Sequence, residues 1–126
     1  MKKKEVFKTV ATHLLKQNKQ CVDEHTDECR YREGSGILRQ CCAIGVLIDD
    51  DHYDEFLLEG KDGEHADVIR AVEGSLKTSI TNKDRQLLLS LQSIHDYGAE
   101  TTWRKSLNAL AQETFNKDLE DLGVSV

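Results

Sequence analysis

The residues with chemical potential in this chain gather in one segment, CRYREGSGILRQCCAIG, which spans Cys29 to Gly45. It holds Cys29, Cys41 and Cys42, the arginines Arg30, Arg32 and Arg39, and a glycine turn from Gly34 to Gly36. Upstream lie Cys21 and His25. Thiolate and imidazole are the ligands zinc prefers, so Cys21, His25, Cys29 and one of Cys41 or Cys42 make a candidate set of four. The close Cys-x-x-Cys pairs of structural zinc sites are missing. Adjacent Cys41 and Cys42 point to different faces of most elements, and a reduced cysteine is a common small core residue. The expectation is no bound metal and no cofactor, with Cys21, His25, Cys29 and Cys42 as the only set that would challenge it.

A second chemistry is nucleophilic. If Cys42 opened a helix, the N-terminal dipole would favour its thiolate. His95 and Asp96 would then be the base and its orienter, as in a cysteine hydrolase. Two features oppose this. Neighbouring helical residues are poorly placed for Asp96 to orient the His95 ring, and the apolar run around Cys42 disfavours the charged thiolate.

A third chemistry is recognition. Arg30, Tyr31, Arg32 and Arg39 form the only local basic cluster, beside flexible glycine amides. Guanidinium groups next to an aromatic ring are suited to a phosphate, a nucleobase or a protein surface. These four are the candidate ligand-binding or partner-binding residues. The alternative is solvated arginines, with Tyr31 and Arg32 pinning a hairpin to the body through Glu59 or Asp96. The acidic run Asp49-Asp50-Asp51 lacks the alternating spacing and central glycine of a calcium loop, so it reads as a helix cap.

The elements that must position these residues are mostly helical. Val6, Phe7, Val10, Ala11, Leu14 and Leu15 recur at helical spacing over residues 3–18. Residues 21–28 are polar and aperiodic, a loop. Cys29–Arg32 against Ile37–Gln40 reads as a short hairpin. The run from Cys42 to Ile48 is apolar throughout and is expected to be a buried helix, with a second short helix from Asp51 to Leu58. Further helices are expected over 64–76 and 83–97, capped at Thr81 or Asn82 and stopped at Gly98. A last one opens at Thr101 with Trp103 on its apolar face. The fold class is therefore mainly α, a small α+β domain of about five helices with one β-hairpin, in a single domain over residues 1–126.

Acidic side chains outnumber basic ones, 23 to 17, for a net charge of −6. That balance opposes direct nucleic-acid binding, which needs clustered cations, and favours basic protein surfaces. No apolar run approaches the roughly 18 residues of a membrane span. The basic start, MKKKEVFK, leads into an amphipathic pattern rather than a signal-peptide core. A cytoplasmic protein with reduced thiols is expected. No heptad is long enough for a coiled coil, and a symmetric dimer through one helix face stays open.

One pattern runs through nearly the whole chain: Cys29-Arg30-Tyr31-Arg32, then Cys42-Ala43-Ile44-Gly45-Val46-Leu47-Ile48, Tyr53, Glu59-Gly60, Leu88-Leu89-Ser90-Leu91-Gln92-Ser93-Ile94-His95-Asp96, and Trp103. It resembles a family of small uncharacterised bacteriophage and prophage proteins. Cys21 and Cys41 fall outside the pattern, and Asp49 stands where a proline is expected. The resemblance implies a non-enzymatic binding protein that engages a host protein or complex in the host cytoplasm, as an inhibitor of a nuclease or immune assembly. Two alternatives accompany it: a protein that sequesters a signalling nucleotide, and the cysteine hydrolase built on Cys42.

Overall fold

The computed structural model describes residues 1–126. Five α-helices, α1 (Lys3–Gln17), α2 (Glu55–Leu58), α3 (Ala66–Leu76), α4 (Asn82–Tyr97) and α5 (Trp103–Phe115), accompany one antiparallel pair, β1 (Arg32–Glu33) and β2 (Gln40–Cys41). The mainly helical expectation with a single hairpin is met. No helix is long and apolar enough to cross a membrane.

Helices α1, α4 and α5 pack on one another. Their inward residues are those the helical period marks: Val6, Phe7, Val10, Ala11 and Leu14 on α1, Leu87, Leu88 and Leu91 on α4, and Trp103, Leu107 and Ala111 on α5. Phe7 meets Phe115 edge-on, with ring centroids 5.6 Å apart. Fully burying a leucine or phenylalanine contributes about 1.5–3 kcal/mol, so this three-helix layer is one large source of stability, joined by α3 and the segment from Cys42 to Ile48 in the same core. Local signals set the helix ends. Thr81 and Asp84 form a reciprocal capping box at the start of α4. Asn18 and Asn116 take left-handed conformations that close α1 and α5.

The hairpin pairs Arg32 with Cys41 and Glu33 with Gln40. Its upstream arm is extended by a bridge between Val22 and Cys29, inside what the sequence suggests is plain loop. Two side chains of α1 hold the second strand. The Gln17 amide donates to the Cys41 carbonyl and accepts from the Cys41 N–H, and His13 Nε2 lies 2.9 Å from the same carbonyl.

The stretch from Cys42 to Ile48 departs from expectation. It is not a helix but a buried irregular segment with one 3₁₀ turn over Gly45–Leu47. Its backbone groups are claimed from outside. The Cys42 N–H donates to the Tyr31 carbonyl, and the Ile44 N–H donates to Gln92 Oε1 on α4. Gly45 presses against Tyr31 so closely that a Cβ would stand 2.0 Å from the Tyr31 oxygen. The second helix is also shorter than Asp51–Leu58. Asp54, not the Asp49–Asp51 triplet, caps α2 by accepting from the N–H groups of Phe56 and Leu57.

Candidate functional site

The arginine cluster is built around a buried carboxylate. Glu59, at the end of α2, has a side chain only 9% exposed. Its Oε1 accepts from the Tyr31 N–H at 2.9 Å, and its Oε2 from the Arg32 N–H at 3.1 Å and the Tyr53 hydroxyl at 2.6 Å. Glu59 thus pins the hairpin to the body through the backbone of Tyr31 and Arg32. Tyr31 itself is buried and donates its hydroxyl to the Lys61 carbonyl. Burial is the first cause that pushes the Tyr31 phenol up, followed by Cys42 and then the carboxylates of Asp62, Asp96 and Glu59.

All three arginines are engaged. Arg30 is ringed by Asp23, Glu33, Glu55 and Glu59 at 3.1–3.8 Å. Arg32 donates to Asp50 at 2.8 Å and to the Ile48 carbonyl at 2.7 Å, and its guanidinium lies 4.4 Å over the Tyr53 ring. Arg39 shares Asp50 with it at 3.0 Å. Both arginines hold the Asp50 carboxyl below the usual range. A phosphate or nucleotide here would have to displace carboxylates already in place. Between the hairpin tip and the start of α2 runs a groove of about 370 Å³, walled by Arg32, Gly36, Arg39, Tyr53 and Glu55.

Side chains that reading the sequence leaves unmarked follow directly in sequence on residues of this groove. Ile37 and Leu38 follow Gly36 out of one wall and are 101% and 79% exposed. Phe56 and Leu57 follow Glu55 out of the other and are 93% and 50% exposed. Only Leu58 of that apolar run turns inward. The signal was present in the sequence as apolar pairs in a glycine turn and beside an acidic run, places with nothing to pack beneath them.

On the other side of Arg30 lies a cleft of about 190 Å³, also lined by Cys29, Asp62, Gln92, Asp96 and Tyr97. Helix α4 supplies its floor. His95 is fully buried, stacks on Trp103 with centroids 5.6 Å apart, and sits with Nδ1 2.7 Å from Asp96 Oδ1. Asp96 does hold the imidazole, against the expectation that a sequence neighbour could not. The same Oδ1 accepts from the Gln92 amide at 2.8 Å.

Cys29, His95 and Asp96 form the one cluster with metal-ligating atoms within 4.8 Å of one another. The four sequence candidates do not assemble: His25 is an exposed loop residue beside Glu24, while Cys21 and Cys42 are buried. The His95 tautomer also argues against coordination. The Cys21 N–H donates to Nε2 at 2.8 Å, so Nε2 is the acceptor and Nδ1 carries the proton given to Asp96. A metal on Nδ1 would need that proton on Nε2, facing another donor.

The thiols are held protonated. Burial pushes Cys42 well up, and its sulfur accepts from the Gly45 N–H at 3.2 Å. Burial pushes Cys21 up to about 12. Cys29 is pushed up to about 11, first by desolvation and then by the charge and hydrogen bond of Asp96. Comparison with family models, with curated proteins and with solved structures finds no match, so the geometry carries the functional reading.

Proposed function

We propose that this chain is a small non-enzymatic binding protein that docks on a protein partner through the face made by the hairpin tip and α2. One observation carries the reading: Ile37, Leu38, Phe56 and Leu57 are exposed, and the two pairs follow directly in sequence on Gly36 and Glu55, which line a single groove. Single exposed apolar residues are ordinary, but large ones grouped about a polar groove are a mark of interaction surfaces. The arginines between them are tied down by carboxylates, which lowers the ordering cost of binding. Asp50, Asp51, Asp54 and Glu55 stand before Phe56 and Leu57 in sequence; Asp50 and Glu55 are paired with arginines, so Asp51, Asp54 and the net charge of −6 are what favour a basic partner. The bacteriophage resemblance makes that partner a host protein, with inhibition as the outcome. The protonated, buried thiol of Cys42 and the committed Nε2 of His95 support binding without turnover.

The test is differential capture from bacterial lysate by the wild type and by an Ile37→Ser/Phe56→Ser double variant. Both replaced side chains are exposed, so the fold is expected to survive. A protein held by the wild type and lost with the variant, more weakly retained as salt rises, is the expected result. Equal capture by both would overturn the reading. So would self-association of the wild type that the variant abolishes, since the face would then be occupied by a second copy of this chain.

A further inference from the structure

The cleft beside Arg30 has a charge imbalance that its lining residues conceal. Two cations and two anions border it: Arg30, Lys61, Asp62 and Asp96. The cations are spent on carboxylates outside the cleft. Arg30 faces Asp23, Glu33, Glu55 and Glu59, and Lys61 Nζ lies 2.8 Å from Asp67. The anions have no such partner. Asp62 accepts only the Glu64 N–H, and Asp96 accepts from Gln92, His95 and the Cys29 thiol. No lysine or arginine pairs with either.

The rim adds an aromatic surface. Tyr97 is the last residue of α4, and its side chain is 88% exposed at the mouth of the cleft. A carboxylate pair beside an open aromatic face is complementary to an alkylammonium or guanidinium group. Size narrows the occupant further. At about 190 Å³ the cleft falls below the roughly 300–1,000 Å³ of ordinary small-molecule sites, which excludes a nucleotide and suits one side chain. Arg30 lines both this cleft and the groove between the hairpin tip and α2, so the two are neighbours on either side of one residue.

From this juxtaposition we infer that the cleft is the specificity pocket of the docking face and takes one lysine or arginine side chain of the partner. The cationic end is drawn to Asp62 and Asp96, and the stem lies along Tyr97. The apolar pairs then supply contact area, while the pocket selects a partner segment with a basic residue beside apolar ones. This rests on the docking reading above, but the two fail separately.

The experiment is an amide NMR titration with N-acetyl-lysine methylamide, and with N-acetyl-norleucine methylamide as the uncharged probe of similar shape. The lysine probe is expected to move the signals of Gln92, Ser93, Asp96 and Tyr97 saturably, and the norleucine probe to leave them in place. Asp62→Asn keeps the acceptor for the Glu64 N–H but removes the charge. It should weaken the lysine probe by about tenfold, the loss of one charge-assisted contact. Tyr97→Ala should weaken it as well without touching the fold. Equal shifts from both probes, or unchanged binding in Asp62→Asn, would overturn the inference. The Ile37→Ser/Phe56→Ser variant must still bind the lysine probe. A silent cleft therefore sinks the pocket alone, and equal lysate capture by the wild type and the Ile37→Ser/Phe56→Ser variant with a responsive cleft sinks the docking face alone.

Discussion

Removing the Glu59 carboxylate should be the most damaging single change to the hairpin. Its two oxygens accept from three donors, the N–H groups of Tyr31 and Arg32 and the hydroxyl of Tyr53. A buried donor left without an acceptor costs about 1–3 kcal/mol. Water reaches the hairpin once the side chain is cut back, and the tyrosine hydroxyl can rotate to a new partner, so the three costs do not add in full. Glu59→Ala is expected to lose about 3–5 kcal/mol, a large part of the roughly 5–15 kcal/mol that holds a domain together. Glu59→Gln keeps one acceptor oxygen and turns an NH₂ group toward a backbone donor, so about 1.5–3 kcal/mol is expected. Tyr53→Phe removes one bond and its donor together, and should cost about 1 kcal/mol. Urea unfolding followed by Trp103 fluorescence gives the three values. Hydrogen exchange at the Tyr31 and Arg32 amides should quicken in the first two variants and stay slow in the third. A Glu59→Ala protein within about 1 kcal/mol of wild type would refute the reasoning, because the hairpin would then be held by its other contacts.

Gly45→Ala drives a Cβ into the Tyr31 carbonyl, where backbone stands on both sides; a loss of about 3 kcal/mol or more is expected in thermal or urea unfolding, and a neutral result would mean the contact can open. Cys29, with its thiol near 11, should react with iodoacetamide about tenfold or more slowly than a free cysteine peptide at about pH 8, and Asp96→Asn should quicken it; a rate equal to the peptide's would sink the assignment. His13 has its pKa lowered from 6.5, first by burial, with the Cys41 carbonyl opposing and His95 adding to the shift. The unfolded chain therefore takes up this proton before the folded one. The contribution is intact above about pH 6.5 and is lost as pH falls through the lowered folded value, so the urea midpoint should drop between about pH 7 and 5, and His13→Gln should flatten that limb.

What the sequence could show is what neighbouring residues decide among themselves. The period of α1, a cap at Thr81 or Asn82 and the halt at Gly98 are local; the structure keeps the first and last and chooses Thr81 as the cap. The segment from Cys42 to Ile48 is decided elsewhere. Its apolar content fits a buried helix, but Tyr31 and Gln92 take its N–H groups first. The His95 ring is a similar case. Helix geometry alone argues against its neighbour Asp96 as the orienter, yet the Cys21 N–H and the Trp103 ring turn the imidazole to where Asp96 reaches it. The arginine cluster is visible as a cluster, while its neutralisation by Asp50, Glu55 and Glu59 needs the fold to bring the two segments together.

The exposed apolar pairs separate folding from function most clearly. A hydropathy argument sends Ile37, Leu38, Phe56 and Leu57 inward, because burial is what such side chains usually gain from folding. Here they sit on a 3₁₀ turn over Gly36–Leu38 and on the single-turn helix α2. Neither element has a second layer over its outer side. Serine or lysine at Ile37 and Phe56 would leave every hydrogen bond of the hairpin and every buried contact of the core in place. Their apolar character therefore does nothing for this chain alone, and it carries a standing cost in solubility. The same segment holds arginines that are already paired, so the charge there is rigid and the grease is free. Under the proposed docking, a surface arranged that way gains when a partner covers it, and the Asp62 and Asp96 cleft would select the charge that partner brings.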